Sequence, residues 1–402
     1  MTARLAIDGG TPVREELLPF GVPAIGEEEI AEVVETLRSG WIGQGQRVER
    51  FEHNLAEYVG APFGVAVSSC TAALHLSLVV TGIRPGDEVL VPALTFAASA
   101  TAVEHAGGIP VFCDSDPETL LIDLADGERR LTERTRAILP VHFGGLPCDM
   151  DAVLAFAQAN GLAVIEDAAH AIAAKLDGRP IGSFASLCCF SFYPNKNLTT
   201  GEGGMVTLQD GDLAERLRML RLHGLSTDAW RRYATQTFVR SELYGLGFKY
   251  NLTDLQAAIG IHQLAKLELH QRRREELASR YDAALGSLPG VALQPRSLPG
   301  HRVRHALHLY LLLLDPDWFT VSRDSIVDAL RAENIGAAIH YRALHLEPYY
   351  VDRFGLAADE LPNALRISER VLTLPLSPGM SDADADDVIE AVAKVLGHYA
   401  RS

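Results

Sequence analysis

The segment SFYPNKNLTTGEGGMVTLQ, residues 191–209, combines an apolar run, a lysine and a glycine-rich turn. Lys196 lies here between the apolar run SLCCFSF (186–192) and the glycine-rich turn TTGEGG (199–204). A P-loop places its lysine after the glycines and follows it with Ser or Thr. Because Lys196 precedes the glycines, the pattern argues against a nucleoside-triphosphate loop, and the lysine needs another function.

The region around this segment, from about residue 60 to 210, alternates short apolar runs with helix-like stretches. The helix-like stretches end in Gly or Asn-Gly, which is a helix stop signal. This alternation predicts an α/β fold with a mostly parallel sheet covered by helices on both faces, and ligands bound at the carboxyl ends of its strands. The predicted strands are 63–69, 87–92, 109–114, 137–142, 162–167, 187–192 and 205–209.

The pattern changes after residue 250, which predicts a large domain over residues 1–250 and a smaller C-terminal α/β domain over 251–402. A long helical pattern (251–285), with Asn251 or Thr253 at its start, leads into the smaller domain, and a loop rich in Pro and Gly follows it. The further elements expected there are a strand at 305–315, a helix at 322–334, a strand at 336–341 and a last helix at 381–400.

Composition and charge exclude several classes of protein. The 402 residues include 36 Lys and Arg against 52 Asp and Glu, a net charge of −16, which disfavours binding to nucleic acid or anionic membranes. The five cysteines form no CxxC pair, so neither a metal site nor a disulfide framework is indicated. The N-terminus lacks a signal-peptide core, and no apolar run reaches the roughly 20 residues that span a bilayer. A cytoplasmic protein is expected.

The first strand end with polar residues is VAVSSCTAALHL (65–76), where Ser69, Cys70 and Thr71 stand between a strand and a helix. Free N–H groups at a helix start, together with the helix dipole, favour an anion such as phosphate. An ordinary Ser or Thr cap is the alternative interpretation.

The second strand end is VIEDAAHA (164–171), in which Asp167 ends an apolar run and His170 follows three residues later. A carboxylate here is suited to pair with a protonated ring nitrogen of a ligand. The alternatives are that Asp167 is a helix N-cap and that His170 is a hydrogen-bonded core histidine.

The third strand end is the opening segment itself, with Ser191 and Lys196. A lysine in a semi-buried cleft has its charged form disfavoured, so its amine becomes a nucleophile able to form a Schiff base. A surface lysine is the alternative. A phosphate site, an acidic partner for a pyridinium nitrogen and a Schiff-base lysine are together what pyridoxal phosphate (PLP) requires from a protein.

These motifs resemble the nucleotide-sugar aminotransferases of the DegT family, within the aspartate-aminotransferase-like fold type I of PLP enzymes. The resemblance covers about residues 18–390. The UDP-4-amino-4-deoxy-L-arabinose aminotransferase type is the nearest, and the shared or similar blocks are KYNLTD, HGL, HYRALH and SERVLTLPL. The blocks that carry the resemblance are SSCTAALHLSL, VPALTFAAS, PVHFGGLPCDMD, VIEDAAHA, SFYPNKNLTTGEGG, LRLHGLS and YNLTDLQAAIG.

The resemblance implies a role for each matching residue. Lys196 matches the Schiff-base lysine, Asp167 the partner of the pyridine nitrogen and His170 a neighbour of the cofactor ring. The remaining matches are the phosphate ligands Thr71, Ala72 and Ser191, the ring-stacking Phe96, and Asn251, which the family supplies to the phosphate from the other subunit of a homodimer. Tyr193 and Asn195 stand at variable positions and leave substrate choice open.

The implied reaction moves an amino group from L-glutamate to a keto-sugar nucleotide. In the family, GEGG after the lysine is more usual among 4-keto-sugar enzymes, which favours a UDP- or dTDP-linked 4-keto sugar. A glutamine-dependent keto-inositol aminotransferase is the alternative, followed by a PLP-dependent sugar dehydratase. Dehydratases of the family replace the lysine with histidine, so Lys196 argues against that reaction. A non-catalytic relative would have lost Lys196, Asp167 or Ser191, and all three are present.

Overall fold

The computed structural model describes residues 4–184, 187–226 and 240–401. Its helices are α1 (Glu27–Ser39), α2 (Gln46–Val59), α3 (Cys70–Val80), α4 (Ala97–His105), α5 (Leu124–Arg129), α6 (Met150–Asn160), α7 (Gly211–Leu220), α8 (Asp254–Leu285), α9 (Arg323–Ala332), α10 (Pro348–Phe354), α11 (Pro362–Arg370) and α12 (Asp382–Tyr399). Its strands are β1 (Phe63–Val67), β2 (Glu88–Pro92), β3 (Ile109–Cys113), β4 (Thr135–Ile138), β5 (Ala163–Asp167), β6 (Lys175–Leu176), β7 (Arg179–Pro180), β8 (Leu187–Ser191), β9 (Gly204–Leu208), β10 (Val291–Leu293), β11 (Val303–Arg304), β12 (Tyr310–Leu314) and β13 (Val371–Leu374).

The central sheet has the strand order β1-β9-β8-β5-β4-β2-β3. The pairs from β3 to β8 are parallel, whereas β9 is antiparallel to both β8 and β1. Every residue of β2, β8 and β9 is buried, as expected for a sheet covered on both faces. The predicted α/β fold with a mainly parallel sheet is therefore confirmed. Since β1, β5 and β8 run in one direction, their carboxyl ends meet at one edge.

The C-terminal region adds an antiparallel sheet of β10, β12 and β13. The strand predicted at 305–315 is shorter, because the N–H groups of Ala306 and Leu309 donate to the carbonyls of Gly145 and Gly144 instead of a neighbouring strand. The strand predicted at 336–341 is reduced to one bridge, between Ala338 and Thr373. The strand is interrupted because this segment also bonds to a different part of the chain: the N–H of Gly336 donates to the carbonyl of Leu18.

The long helix α8 packs into two cores. Ala257, Ile261 and Leu267 in its first half join the core under the central sheet. Leu277 and Tyr281 in its second half join the core around the small sheet, to which residues near the N-terminus also contribute. We therefore propose that α8 is shared between the two parts of the chain predicted at 1–250 and 251–402. Neither α8 nor any other helix in the described residues is both long enough and apolar enough to cross a bilayer.

Candidate active site

A cavity of about 370 Å³ lies at the carboxyl edge of β1, β5 and β8. Small-molecule sites typically enclose about 300–1,000 Å³. The predicted site residues that line this cavity are Thr71, Phe96, Asp167, His170, Ser191 and Lys196. The folded chain therefore brings together four segments that are separated in sequence by up to 125 positions, from Thr71 to Lys196.

The start of α3 forms one wall of the cavity. The Oγ of Ser69 accepts the N–H of Ala72 at 3.1 Å, so Ser69 is the N-cap of α3. The predicted phosphate ligand Ala72 does not line the cavity. Thr71 lies in the first helical turn, whose N–H groups have no carbonyl one turn earlier. A Cβ on Gly204 would lie 2.5 Å from the carbonyl carbon of Ser69, so glycine is required for β9 to pass beside this turn.

The carboxylate of Asp167 lies at the end of β5 and is fixed by two hydrogen bonds. Its Oδ1 accepts the N–H of Ala169 at 3.1 Å, and its Oδ2 accepts the hydroxyl of Ser99 at 2.7 Å. Residues 169–170 form a turn and no helix begins there, so the N-cap interpretation of Asp167 is wrong. Each carboxylate oxygen has a further lone pair available for a ligand donor.

His170 is buried beside this carboxylate turn and is held as a neutral imidazole. The N–H of Gly144 donates to its Nδ1 at 3.3 Å, so the ring proton lies on Nε2, which is 3.3 Å from the hydroxyl oxygen of Tyr341. Burial lowers the pKa of His170 well below its ordinary value, and the nearby positive charge of Lys196 lowers it further.

Lys196 projects its amine into the same cavity. Its Nζ is 3.4 Å from Nε2 of His308. Desolvation lowers the pKa of Lys196 to about 8, although Asp167 and Cys70 act in the opposite direction. A larger fraction of this side chain is therefore the free, nucleophilic amine at neutral pH than for an exposed lysine.

Phe96 and Ser191 complete the predicted set inside the cavity. The ring of Phe96 is 58% exposed, and its centroid is 5.8 Å from that of Tyr341, so one aromatic face is available to a flat ligand. Ser191, the last residue of β8, accepts the N–H of Tyr193 at 3.5 Å. Tyr193 itself is 49% exposed at the cavity.

Asn251 lies outside the cavity lining. Its backbone forms a bridge with Val67 at the end of β1, and its side chain contacts Lys249 and the carbonyl of Leu252. The N-cap of α8 is Thr253, which makes a capping box with Gln256, so Asn251 does not cap the helix.

Sequence reasoning missed several residues of the site. His340 and Tyr341 line the cavity, and His308 contacts Lys196. Two histidines inside the apolar run HALHLYLLLLD (305–315) were the available signal for His308, since an apolar strand rarely includes histidine without a polar partner. Tyr341 gave no such signal, because a tyrosine is an ordinary residue of a half-buried surface.

The side chains present fit PLP. The N-terminus of α3 suits a phosphate, the Asp167 carboxylate suits a protonated ring nitrogen, and the Lys196 amine suits an aldehyde. The exposed ring of Phe96 suits a planar heterocycle.

The chain is similar to several known proteins. Residues 23–393 match the DegT/DnrJ/EryC1/StrS aminotransferase family. The spore coat polysaccharide biosynthesis protein SpsC of Bacillus subtilis (strain 168) is 49% identical over 384 residues, which are 95% of this chain and 98% of SpsC.

Solved structures of similar chains include the putative sugar aminotransferase Spr1654 from Streptococcus pneumoniae. Its PMP form has a TM-score of 0.88 at 31% identity and covers 95% of this chain and 99% of its own. A PLP form of the same protein has a TM-score of 0.87. PseC of Helicobacter pylori, an aminotransferase involved in the biosynthesis of pseudoaminic acid, has a TM-score of 0.88 at 26% identity, with 96% and 100% of the two chains covered.

Proposed function

The chain belongs to the DegT/DnrJ/EryC1/StrS family of PLP-dependent sugar aminotransferases, and from this premise we propose that it transfers the amino group of L-glutamate to a 4-keto UDP- or dTDP-sugar. The observation that carries the proposal is the pairing, in one cavity, of the Lys196 amine with the Asp167 carboxylate. The amine suits proton transfer, and the carboxylate suits a protonated ring nitrogen.

We propose the following roles for the residues. PLP, when bound, supplies a ring that accepts the electrons released at the donor carbon. Lys196 carries the cofactor at rest and, once free, moves the proton from Cα of the amino donor. Asp167 holds the proton on the ring nitrogen, and Phe96 covers one face of the ring. Thr71 and Ser191, which line the cavity, would hold the phosphate, and the family resemblance adds Ala72, which does not line it. Ala72 can do so only through its N–H, which Ser69 already accepts.

The choice of a 4-keto sugar rests on sequence. The Glu202 of GEGG lines the cavity, as do the aromatic rings of Tyr193 and Tyr341, which suit contact with a sugar ring. None of the relatives described above is named for UDP-4-amino-4-deoxy-L-arabinose. The finer resemblance is therefore not supported, and the proposal stops at the 4-keto class.

A panel of keto sugars tests the substrate proposal. Purified protein with PLP is given L-glutamate or L-glutamine together with 4-keto UDP- and dTDP-sugars, 3-keto sugars and keto-inositols. We expect 2-oxoglutarate and an aminated nucleotide sugar to form in equal amounts only with glutamate and the 4-keto substrates. Turnover confined to glutamine and keto-inositols would support the alternative substrate class, and Lys196→Ala serves as the blank.

We further propose a homodimer in which Asn251 reaches the phosphate bound in the partner subunit. Asn251 lies outside its own cavity lining, which is compatible with a role in trans. Large apolar side chains between residues 17 and 42 are 45–56% exposed, and such a surface suits contact with a second copy. These side chains are Leu17, Val22, Ile25, Ile30, Leu37 and Ile42.

Subunit mixing tests the shared site. Lys196→Ala and Asn251→Ala chains are mixed at limiting PLP, after each homodimer is found to be impaired. If Asn251 acts in trans, a mixed dimer has one site with both defects and one intact site, so about a quarter of the wild-type activity returns in a random one-to-one mixture. If Asn251 acts within its own chain, each mixed site has one defect and no activity returns.

A second mixture controls for this result. Lys196→Ala mixed with Asp167→Asn combines two residues that line one cavity of one chain, so every mixed site keeps a defect. We expect no recovery from this pair. Recovery of activity in this mixture would mean that subunit exchange alone raises activity. A protein that sediments as a monomer and is fully active would also contradict the shared site.

A further inference from the structure

The Lys196 amine has a protein partner that the family resemblance did not supply. Its Nζ lies 3.4 Å from Nε2 of His308, on the loop between β11 and β12. His308 is 3% exposed, so the contact lies on the protein side of the amine and away from solvent.

Neighbouring bonds fix which nitrogen of His308 carries the proton. The Nδ2 of Asn197 donates to the carbonyl of Ala306 at 2.6 Å, which places the Oδ1 of Asn197 against Nδ1 of His308 at 3.2 Å. Because Oδ1 only accepts, Nδ1 must carry the ring proton. The Nε2 of His308 is therefore a free acceptor that faces Lys196.

The imidazole of His308 is also fixed in orientation. Its ring lies against that of His170, with centroids 4.4 Å apart and planes inclined by 33°. His170 is held in turn by Gly144 and Tyr341. The acceptor therefore has little freedom to turn away from Lys196.

Burial keeps the imidazole of His308 neutral. Burial lowers the pKa of His308 well below its ordinary value, and Lys196, His170, Arg274 and His340 lower it further. Burial lowers the pKa of Lys196, and Asp167 and Cys70 act in the opposite direction. Burial lowers the pKa of His340 to about 4, so it too is uncharged at neutral pH.

We propose that His308 is a positioning residue for Lys196: its Nε2 accepts an N–H of the lysine amine whenever that amine is free of the cofactor. One N–H is thereby held toward the protein, and the rest of the amine faces the cavity in which it must receive and return a proton. The inference rests on the proposed function of Lys196. It adds that the lysine is oriented by a neutral acceptor, not by an ion pair.

Two substitutions of His308 distinguish the effect of losing its acceptor nitrogen from the effect of changing the shape of its side chain. His308→Phe keeps a ring against His170 but removes the acceptor nitrogen. His308→Gln keeps an acceptor oxygen on a side chain of similar reach. Full-length, cofactor-free protein is treated with formaldehyde and borohydride across a pH series, and methylation of the Lys196 peptide is quantified by mass spectrometry. The apparent pKa of Lys196 is the readout.

Loss of a neutral acceptor disfavours the ammonium form, so His308→Phe is expected to lower the apparent pKa of Lys196 by about one pH unit. With PLP present, kcat is expected to fall about 10–100-fold, because the amine is no longer oriented, while KM for glutamate changes little. His308→Gln is expected to restore both values to near wild type. A wild-type pKa in a folded His308→Phe protein would overturn the proposal.

Two further variants test whether the effect depends on the contact between His308 and Lys196. His305→Phe replaces another buried histidine of the same segment, whose Nδ1 accepts the N–H of Leu307, and it should leave the Lys196 profile unchanged. If His308→Phe does not fold, Asn197→Leu is used instead, since it removes the bond that fixes the ring proton of His308. Asn197→Leu should also lower the apparent pKa of Lys196. An unchanged methylation profile in that variant would count against the proposal. PLP can label Lys196 in the wild type while the pH profile of Lys196 methylation stays unchanged in the variants. That result would reject the proposed role of His308 and leave the proposed function of Lys196 standing.

Discussion

Lys196→Ala is expected to abolish transamination while the protein still folds and binds PLP. The variant loses the group that carries the cofactor and moves the proton, and proton transfer alone contributes about 10²–10⁴-fold to the rate. The other predicted cofactor contacts, at Asp167, Ser191, Thr71 and Phe96, stay in place around the cavity. Turnover of glutamate and a 4-keto sugar nucleotide, measured together with bound PLP, checks the prediction.

A lysine outside the cavity provides the control for this variant. Lys175 lies on β6, where its backbone pairs with Pro180 and Arg304. Lys175→Ala is expected to keep wild-type turnover. Equal activity of the wild type and Lys196→Ala would remove Lys196 from the mechanism.

Asp167→Asn is expected to reduce turnover by at least about 10–100-fold, the equivalent of losing a hydrogen bond to a charged group. A neutral amide cannot hold the proton on a pyridine nitrogen as a carboxylate does. The fold should remain, because Asn Oδ1 still accepts the N–H of Ala169 and the hydroxyl of Ser99 can turn toward Thr95 Oγ1, 2.8 Å away. Activity and thermal unfolding are measured on the same samples.

The control for Asp167→Asn is an aspartate whose role is local. Asp123 is the N-cap of α5, with its side chain accepting the N–H of Ala125. Since Asn caps about as well as Asp, Asp123→Asn should retain both activity and stability. If Asp167→Asn behaved in the same way, its carboxylate would be structural and the proposed contact to the cofactor ring would be wrong.

The sequence predicts the sheet well because most strands are short, largely apolar runs separated by helix-like stretches that end in turns. It also predicts that Thr71, Asp167 and Lys196 share one site, since residues that follow parallel strands collect at one edge. The segment at 204–208 gave no sign of its direction. Only the folded sheet reveals that β9 runs antiparallel, with Gly204 placed against Ser69 by that reversal.

The C-terminal part was predicted less accurately, because its backbone hydrogen bonds join distant segments. The chain at 305–309 donates to Gly144 and Gly145, more than 150 positions away, instead of extending β12. That departure from strand geometry is what brings His308 to Lys196. No periodicity in the apolar run 305–315 could indicate it.

The proposed role of Asn251 depends on a second subunit, and the sequence reached it only through resemblance. Its place beside Val67, with its side chain toward Lys249, removes the simple alternative of a helix cap. Whether Asn251 contacts the phosphate in its own subunit or in the partner subunit depends on how the dimer is assembled. Subunit mixing is therefore informative at this position, whereas a single substitution is not.

Borohydride reduction of the purified protein with PLP, followed by peptide mapping, identifies the amine to which the cofactor is attached. Reduction fixes the cofactor to whichever amine holds it, so the label reports the attachment point without any assumption about substrate. We expect one pyridoxyl group per chain, on the peptide that contains Lys196, and none on that peptide in Lys196→Ala. A label on another lysine, or no label in the wild type after PLP is added, would contradict the account.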